Sequence, residues 1–301
     1  MAADDSSSDE SSSSSGDVRQ AGQGQQEQPP PSKKARTAMA KAAIASVPLE
    51  IAPSAPHSAT AVAGGKFVSQ SKPIVVILDQ ATLETFKNKR GVYELLNCDD
   101  HREYCKRKLK RDPNEFRPDI LHQEMLALLD SPLNKAGLLK MYISTKKKVL
   151  IDVNPSLRMP RTYKRFAGLM VQLLHKMKIK AGTESTTLLK VVKNPVSQYL
   201  PAGTRCYGFS CQGKLYRPSA FARTALPSEP PPLASGPSGS AAAASSYPPT
   251  CFVIGAMSTG HVTIDDYPFI EQMVSLSEYP LSGAAAISRL MAAIEEHWGV
   301  V

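Results

Sequence analysis

Short runs of apolar, often β-branched residues alternate along the chain with amphipathic stretches of helical period, and this alternation restricts the possible folds most. Pro73–Leu78 (PIVVIL) has the uninterrupted apolar character of a strand buried on both faces. Residues 119–129 place Leu121, Met125, Leu128 and Leu129 on one side of a predicted helix. Leu139–Ile143 and Val149–Val153 flank a Ser-Thr-Lys-Lys-Lys bend and predict a β-hairpin. The clearest helical period covers 161–179, where Phe166, Leu169, Met170, Leu173, Leu174 and Met177 make one apolar stripe. Leu188–Val192, Tyr207–Ser210 and Cys251–Ile254 are further strand segments. A helix over Gly283–His297, striped by Ile287, Leu290, Met291, Ile294 and Trp298, closes the chain. Strands separated by helices predict an α/β fold with a mostly parallel sheet, helices on its flanks and an inserted hairpin.

Two stretches break the pattern. Residues 1–65 run from Ser/Asp/Glu-rich through Gln-rich to Pro/Ala/Ser-rich sequence, predicting a disordered tail over residues 1–70. Residues 226–250 lack large aliphatics after Leu233 and predict a flexible insertion in a domain spanning 71–301. Without both, roughly 210 residues remain, enough for one α/β domain. No stretch reaches the roughly 18–20 uncharged apolar residues of a bilayer span, so no membrane partner is expected. The acidic, Ser-rich start carries no secretory pattern, and Lys33, Lys34 and Arg36 after a proline run suit a nuclear-import signal. Five scattered cysteines (Cys98, Cys105, Cys206, Cys211, Cys251) offer no disulfide framework and fit a reducing compartment.

The formal charge is +9, and residues 139–180 alone hold 11 Lys/Arg against the single Asp152. A field so concentrated attracts a polyanion, with nucleic acid the first candidate. Within it, Arg158, Arg161 and Arg165 sit at the mouth of the strongest helix. Arg161 and Arg165, four apart, are expected to share a helical face away from the apolar stripe, without carboxylates to pair with. Guanidinium forks at a helix start suit phosphate oxygens, hence RNA contact.

Phosphate-loop, dinucleotide-loop and H-E-x-x-H signatures are missing, and Gly208–Gly213 is one residue too long for a nucleophile elbow. Asn97-Cys-Asp-Asp-His101 and His122 show no recognised metal-ligand spacing, so no metal is expected. Asp119, two residues beyond Arg117 across a proline, is placed to orient that arginine. An apolar strand ending at Gly255, a second glycine at Gly260 and the segment Leu276-Ser-Glu-Tyr-Pro-Leu281 before a helix start suit a small amphipathic ligand at a sheet edge.

LLNCDDH (95–101), RPDILHQ (117–123), LLDSPLNKAG (128–137), NPSLRMPRTYKRFAGLMVQLLHK (154–176), LLKVVKNP (188–195), VIGAM (253–257) and LSEYPLS (276–282) closely resemble one family. It is the eukaryotic and archaeal N1-specific pseudouridine methyltransferases of the small ribosomal subunit, ribosome-biogenesis factors of the SPOUT superfamily. The resemblance implies a trefoil-knotted α/β fold, a homodimer, S-adenosyl-L-methionine as methyl donor, 18S rRNA or pre-rRNA as substrate, pre-40S assembly factors as partners, and residence in the nucleus and nucleolus. For such a reaction the expected catalytic residues are Arg117 and Asp119: a guanidinium held by Asp119 favours the N1 anion, and Asp119 as general base is the less favoured version. RNA contacts fall to Arg117, Arg158, Arg161 and Arg165. Cofactor contacts fall to Phe209, Gly255, Gly260, Leu276, Ser277, Glu278, Tyr279, Pro280 and Leu281. Ser258-Thr259, Glu278 and the 226–250 insertion depart from the family's pattern. The competing expectation is a non-catalytic rRNA-binding assembly factor that chaperones RNA in the pre-40S particle; a tRNA-modifying member of the superfamily is a third.

Overall fold

The computed structural model describes residues 72–182, 186–230 and 249–301. The expected tail over 1–70, its basic cluster at Lys33, Lys34 and Arg36, and most of the 226–250 insertion lie outside the described residues. In chain order the strands are β1 (Ile74–Ala81), β2 (Thr85–Lys87), β3 (Tyr93–Leu95), β4 (Leu139–Thr145) and β5 (Leu150–Val153). They continue with β6 (Lys178–Lys180), β7 (Thr187–Val192), β8 (Arg205–Leu215), β9 (Thr250–Gly255) and β10 (Gln272–Ser275). The longer helices are α1 (Pro118–Asp130), α2 (Tyr163–Lys176), α3 (Pro218–Ala225) and α4 (Gly283–Trp298). Strands β2 and β3 form a separate antiparallel pair.

The main sheet runs β10-β8-β9-β1-β4-β5-β7-β6. From β10 to β4 every pairing is parallel; from β4 onward every pairing is antiparallel. The expected hairpin therefore continues the main sheet: β4 pairs parallel with β1 and antiparallel with β5, with Met141 opposite Val153. Strand β1 lies between β9 and β4, which explains its unbroken apolar run. Ile74, Val76 and Leu78 face a large core shared with the four helices. Val75 and Ile77 face a smaller one covered by the segments around Val196 and Val262–Ile270.

Helix α2 is shorter than the predicted 161–179. Thr162 is its N-cap, so Arg161 precedes the helix and does not share a face with Arg165. At the other end Met177 takes a left-handed conformation (φ 61°), its N–H bonding to the Leu173 carbonyl, and the chain turns into β6. Met177, assigned from the sequence to the apolar stripe, is 52% exposed for that reason. The described ends of the insertion are anchored: Leu226 is buried, and the Pro227 carbonyl accepts from His297 Nε2 (2.8 Å) and Trp298 Nε1 (3.0 Å).

Helix α4 starts at an N-cap, where Ser282 Oγ accepts from the Ala285 N–H at 3.3 Å. Ser282→Ala is expected to cost about 1 kcal/mol in urea denaturation; an unchanged midpoint would show that the cap contributes nothing.

Candidate active site

Strands β8, β9 and β10 end together at the carboxyl edge of the parallel half of the sheet, where α/β folds place ligands. Phe209 comes from β8, Gly255 closes β9, and Leu276 follows β10. With the first turn of α4 they enclose a cavity of about 450 Å³. Phe209, Gly255, Gly260, Leu276, Ser277, Tyr279, Pro280 and Leu281 all line it. Glu278 does not; it is exposed, in a turn where Ser275 Oγ donates to the Ser277 carbonyl (2.9 Å) and Tyr279 N–H to Ser277 Oγ (3.1 Å). Gly260 has φ +95°, which disfavours any side chain, and a Cβ on Gly255 would lie 2.5 Å from Met257 Cε.

Arg117 lines the same cavity. Pro118 occupies the first helical position of α1, so Arg117 stands at its N-cap and Asp119 in its first turn. Arg117 Nε donates to Asp119 Oδ1 (2.9 Å) and Nη2 to Oδ2 (2.7 Å), a two-pronged clamp that fixes the guanidinium plane. The hydrogen bonds it donates to Asp119 raise the arginine's pKa further, so it stays charged. Nη1 makes no hydrogen bond to any described residue and is free to meet a ligand. Asp119 itself lies outside the lining and touches the cavity only by way of its contacts to Arg117.

Arg158, Arg161 and Arg165 are all exposed and none lines the cavity. Of the two arginines expected to lack a carboxylate, Arg165 has none among the described residues, but Arg161 Nη2 pairs with Asp130 Oδ2 at 3.0 Å. Other charges in 139–180 are also matched: Lys140 by Asp152, Lys146 by Glu115 (3.8 Å) and Lys147 by Glu84 (2.8 Å). Burial pushes the Glu84 carboxyl up, yet hydrogen bonds from Lys147 and Arg111 outweigh it and hold the group below the usual range. The segment carrying Arg158 and Arg161 rests on α1 and on the short helix that follows it, Pro132–Lys135. His122 Nε2 donates to the Pro160 carbonyl (2.7 Å) while its ring stacks on Phe166, and Asn134 Nδ2 donates to the Pro155 carbonyl (3.0 Å).

The Asn97–His101 segment is a structural turn. Asn97 Oδ1 accepts from the N–H groups of Asp99 (3.0 Å) and Asp100 (2.7 Å), and His101 Nε2 faces Glu94 Oε2 at 3.1 Å. Among the described residues no group of three or more His, Cys, Asp and Glu is arranged to hold a metal ion, and no helix is long and apolar enough to cross a membrane.

Residues 76–295 match the family described as EMG1/NEP1 methyltransferase. The chain belongs to that family. It is 46% identical over 230 residues to the ribosomal RNA small subunit methyltransferase NEP1 of Drosophila melanogaster, covering 76% of this chain and 84% of that protein. It is 45% identical over 228 residues to the protein of the same name in Homo sapiens, covering 76% and 83%. Archaeoglobus fulgidus Nep1, solved bound to S-adenosylhomocysteine, superposes with a TM-score of 0.57 at 23% identity, over 75% of this chain and 98% of that one. That likeness shows an EMG1/NEP1 fold.

Sequence reading did not find the cavity's other walls: Ile120 and Gln123 from α1, Ser210 and Cys211 from β8, and Met257, His261 and Val262 from the loop after β9. Gln123 lies in the RPDILHQ segment on the helix that starts after Arg117, and membership of that segment is the signal that could have found it. Ser258, noted as a departure, donates through Oγ to the Asn114 carbonyl at 2.6 Å and ties the glycine loop to the turn before Arg117.

Proposed function

We propose that this chain methylates N1 of a pseudouridine in a hairpin loop of small-subunit (18S) rRNA, with S-adenosylmethionine as donor, during 40S ribosome biogenesis. The observation that carries this reading is that Arg117, clamped by Asp119, opens on the same cavity as the two glycine turns. Membership of the methyltransferase family and the names of the relatives support the donor and the RNA.

The cavity fits such a donor. Its volume is in the usual range for small-ligand sites, about 300–1,000 Å³. Phe209, Ile254, Val274 and Leu276 give apolar walls for a base and a thioether, and the glycine turns let the ligand approach the backbone. S-adenosylmethionine supplies, when bound, a methyl group already activated by its sulfonium. The protein's share is then position and field. Arg117 Nη1 is placed to stabilise the negative charge that develops as N1 of the pseudouridine gives up its proton to solvent before taking the methyl. Asp119 holds the fork rigid and offsets its charge, so a cationic sulfonium is tolerated nearby. Both Asp119 oxygens already accept from Arg117, which argues against Asp119 as the base. The target base must leave its stack to reach the cavity, which favours a loop over a duplex.

Arg158, Arg161 and Arg165 lie outside the cavity and suit contact with flanking phosphates. Arg165→Ala is expected to weaken RNA binding and reduce the slope of log K against log salt by about 1, with S-adenosylhomocysteine affinity unchanged. An unaltered slope would remove Arg165 from the RNA face. The reading also carries a homodimer, a trefoil knot in the C-terminal third, pre-40S assembly partners and nucleolar residence, all following from the resemblance. Transfer of labelled methyl to synthetic hairpins with pseudouridine or uridine at the loop position tests the core of it. Label is expected only in the pseudouridine hairpin; label in neither, or equally in both, would overturn the assignment.

A further inference from the structure

Glu124 stands out among the buried groups that the mechanism does not use. It lies in the middle of α1, is 0% exposed, and neither carboxyl oxygen has a hydrogen-bond partner among the described residues. Its neighbour is the first turn of α4: a Cβ built on Gly283 would overlap Glu124 Oε1 and lie 2.9 Å from Cδ. Gly283 does not have a left-handed φ, so space rather than backbone conformation calls for glycine there. The same turn forms a cavity wall through Leu281, Ser282, Gly283, Ala284 and Ala286. Helix α1 thus carries Arg117 at its start and Glu124 beneath the cofactor wall.

We propose that the Glu124 carboxyl is a positioning group: it seats the first turn of α4 on α1 and so sets the Leu281–Ala286 wall relative to Arg117. The seat needs glycine at 283 and a planar group of carboxyl size at 124. Titratable groups on α1 and on the elements packed against it include Asp119 and His122 on α1, Asp79 on β1, Arg165 on α2, and Arg289 and Glu295 on α4; the cause of the raised pKa is burial, which lifts it to about 9. The partial positive charge at a helix start favours a carboxylate. Here no N–H of that turn reaches an oxygen of Glu124; those of Ala285 and Ala286 go to Ser282.

The proposal rests on the cavity holding the cofactor, and its test separates the two. Calorimetry with S-adenosylhomocysteine and ligand-free thermal melting are run on wild type, Gly283→Ala, Glu124→Ala, the double variant and Glu124→Gln. Gly283→Ala is expected to weaken binding about tenfold or more, and adding Glu124→Ala to recover most of that loss, since contacting residues are not additive. Glu124→Gln, neutral and of the same shape, is expected to bind within about threefold of wild type near neutral pH. Wild-type affinity should fall as the carboxyl ionises above about 9, and that of Glu124→Gln should not. An equal loss from Gly283→Ala with and without Glu124, or coupling in the melts but none in affinity or its pH profile, overturns the proposal. If wild type fails to bind S-adenosylhomocysteine, the cofactor reading fails; non-additive melts then still support the seat, and additive ones overturn it. If Gly283→Ala alone does not fold, folding of the double variant supports the seat and its failure overturns it.

Discussion

Arg117→Ala is expected to lower the rate of methyl transfer by about 10²–10³, the usual loss when one preorganised donor to developing charge is removed. Its guanidinium is already held in one plane by the two Asp119 contacts at 2.9 and 2.7 Å, so little reorganisation is needed when charge appears on the base. S-adenosylhomocysteine affinity should change by no more than about threefold, because the apolar walls and glycine turns lie on other elements. Arg117→Lys should recover only part of the rate, since an ammonium cannot reproduce the two-pronged clamp. Single-turnover transfer with saturating donor and RNA reads the effect. A loss confined to RNA affinity, with an unchanged chemical step, would reduce Arg117 to a phosphate contact.

Glu124→Gln is expected to stabilise the fold by an amount that grows with pH. Burial lifts the folded carboxyl to about 9, while the unfolded chain titrates at the ordinary value of 4.5. Between these values the native state keeps a proton that the unfolded state releases. The stability of the neutral acid is complete below the unfolded value and declines by about 1.4 kcal/mol per pH unit up to the folded one. Above that both states are ionised and the slope ends. Glutamine does not titrate, so the gap between variant and wild type in urea denaturation should widen by about 3 kcal/mol from about pH 6 to about pH 8. Parallel curves would show that Glu124 is ionised in the fold.

The parallel half of the sheet was legible because β1 and β9 are buried on both faces and carry almost unbroken apolar runs. The end of α2 was not, because the left-handed residue that stops it is methionine rather than glycine. Nor was β10: Gln272–Ser275 is a short edge strand without alternation, recognisable only by pairing with β8. The Arg117–Asp119 clamp could be read because both partners sit within one helix start. The Arg161–Asp130 pair could not, since its carboxylate comes from the end of α1, far from Arg161 in sequence. Glu124 reads locally as a surface residue between Gln123 and Met125, and only the docking of α4 on α1 buries it.

The most direct measurement is an experimental structure of the protein with S-adenosylhomocysteine and a pseudouridine hairpin. The thioether is expected between Gly255 and Leu276, with the loop base turned out and N1 within about 3 Å of Arg117 Nη1. A ligand seated elsewhere, or a base delivered to a point that Arg117 cannot reach, would contradict the assignment of one shared site.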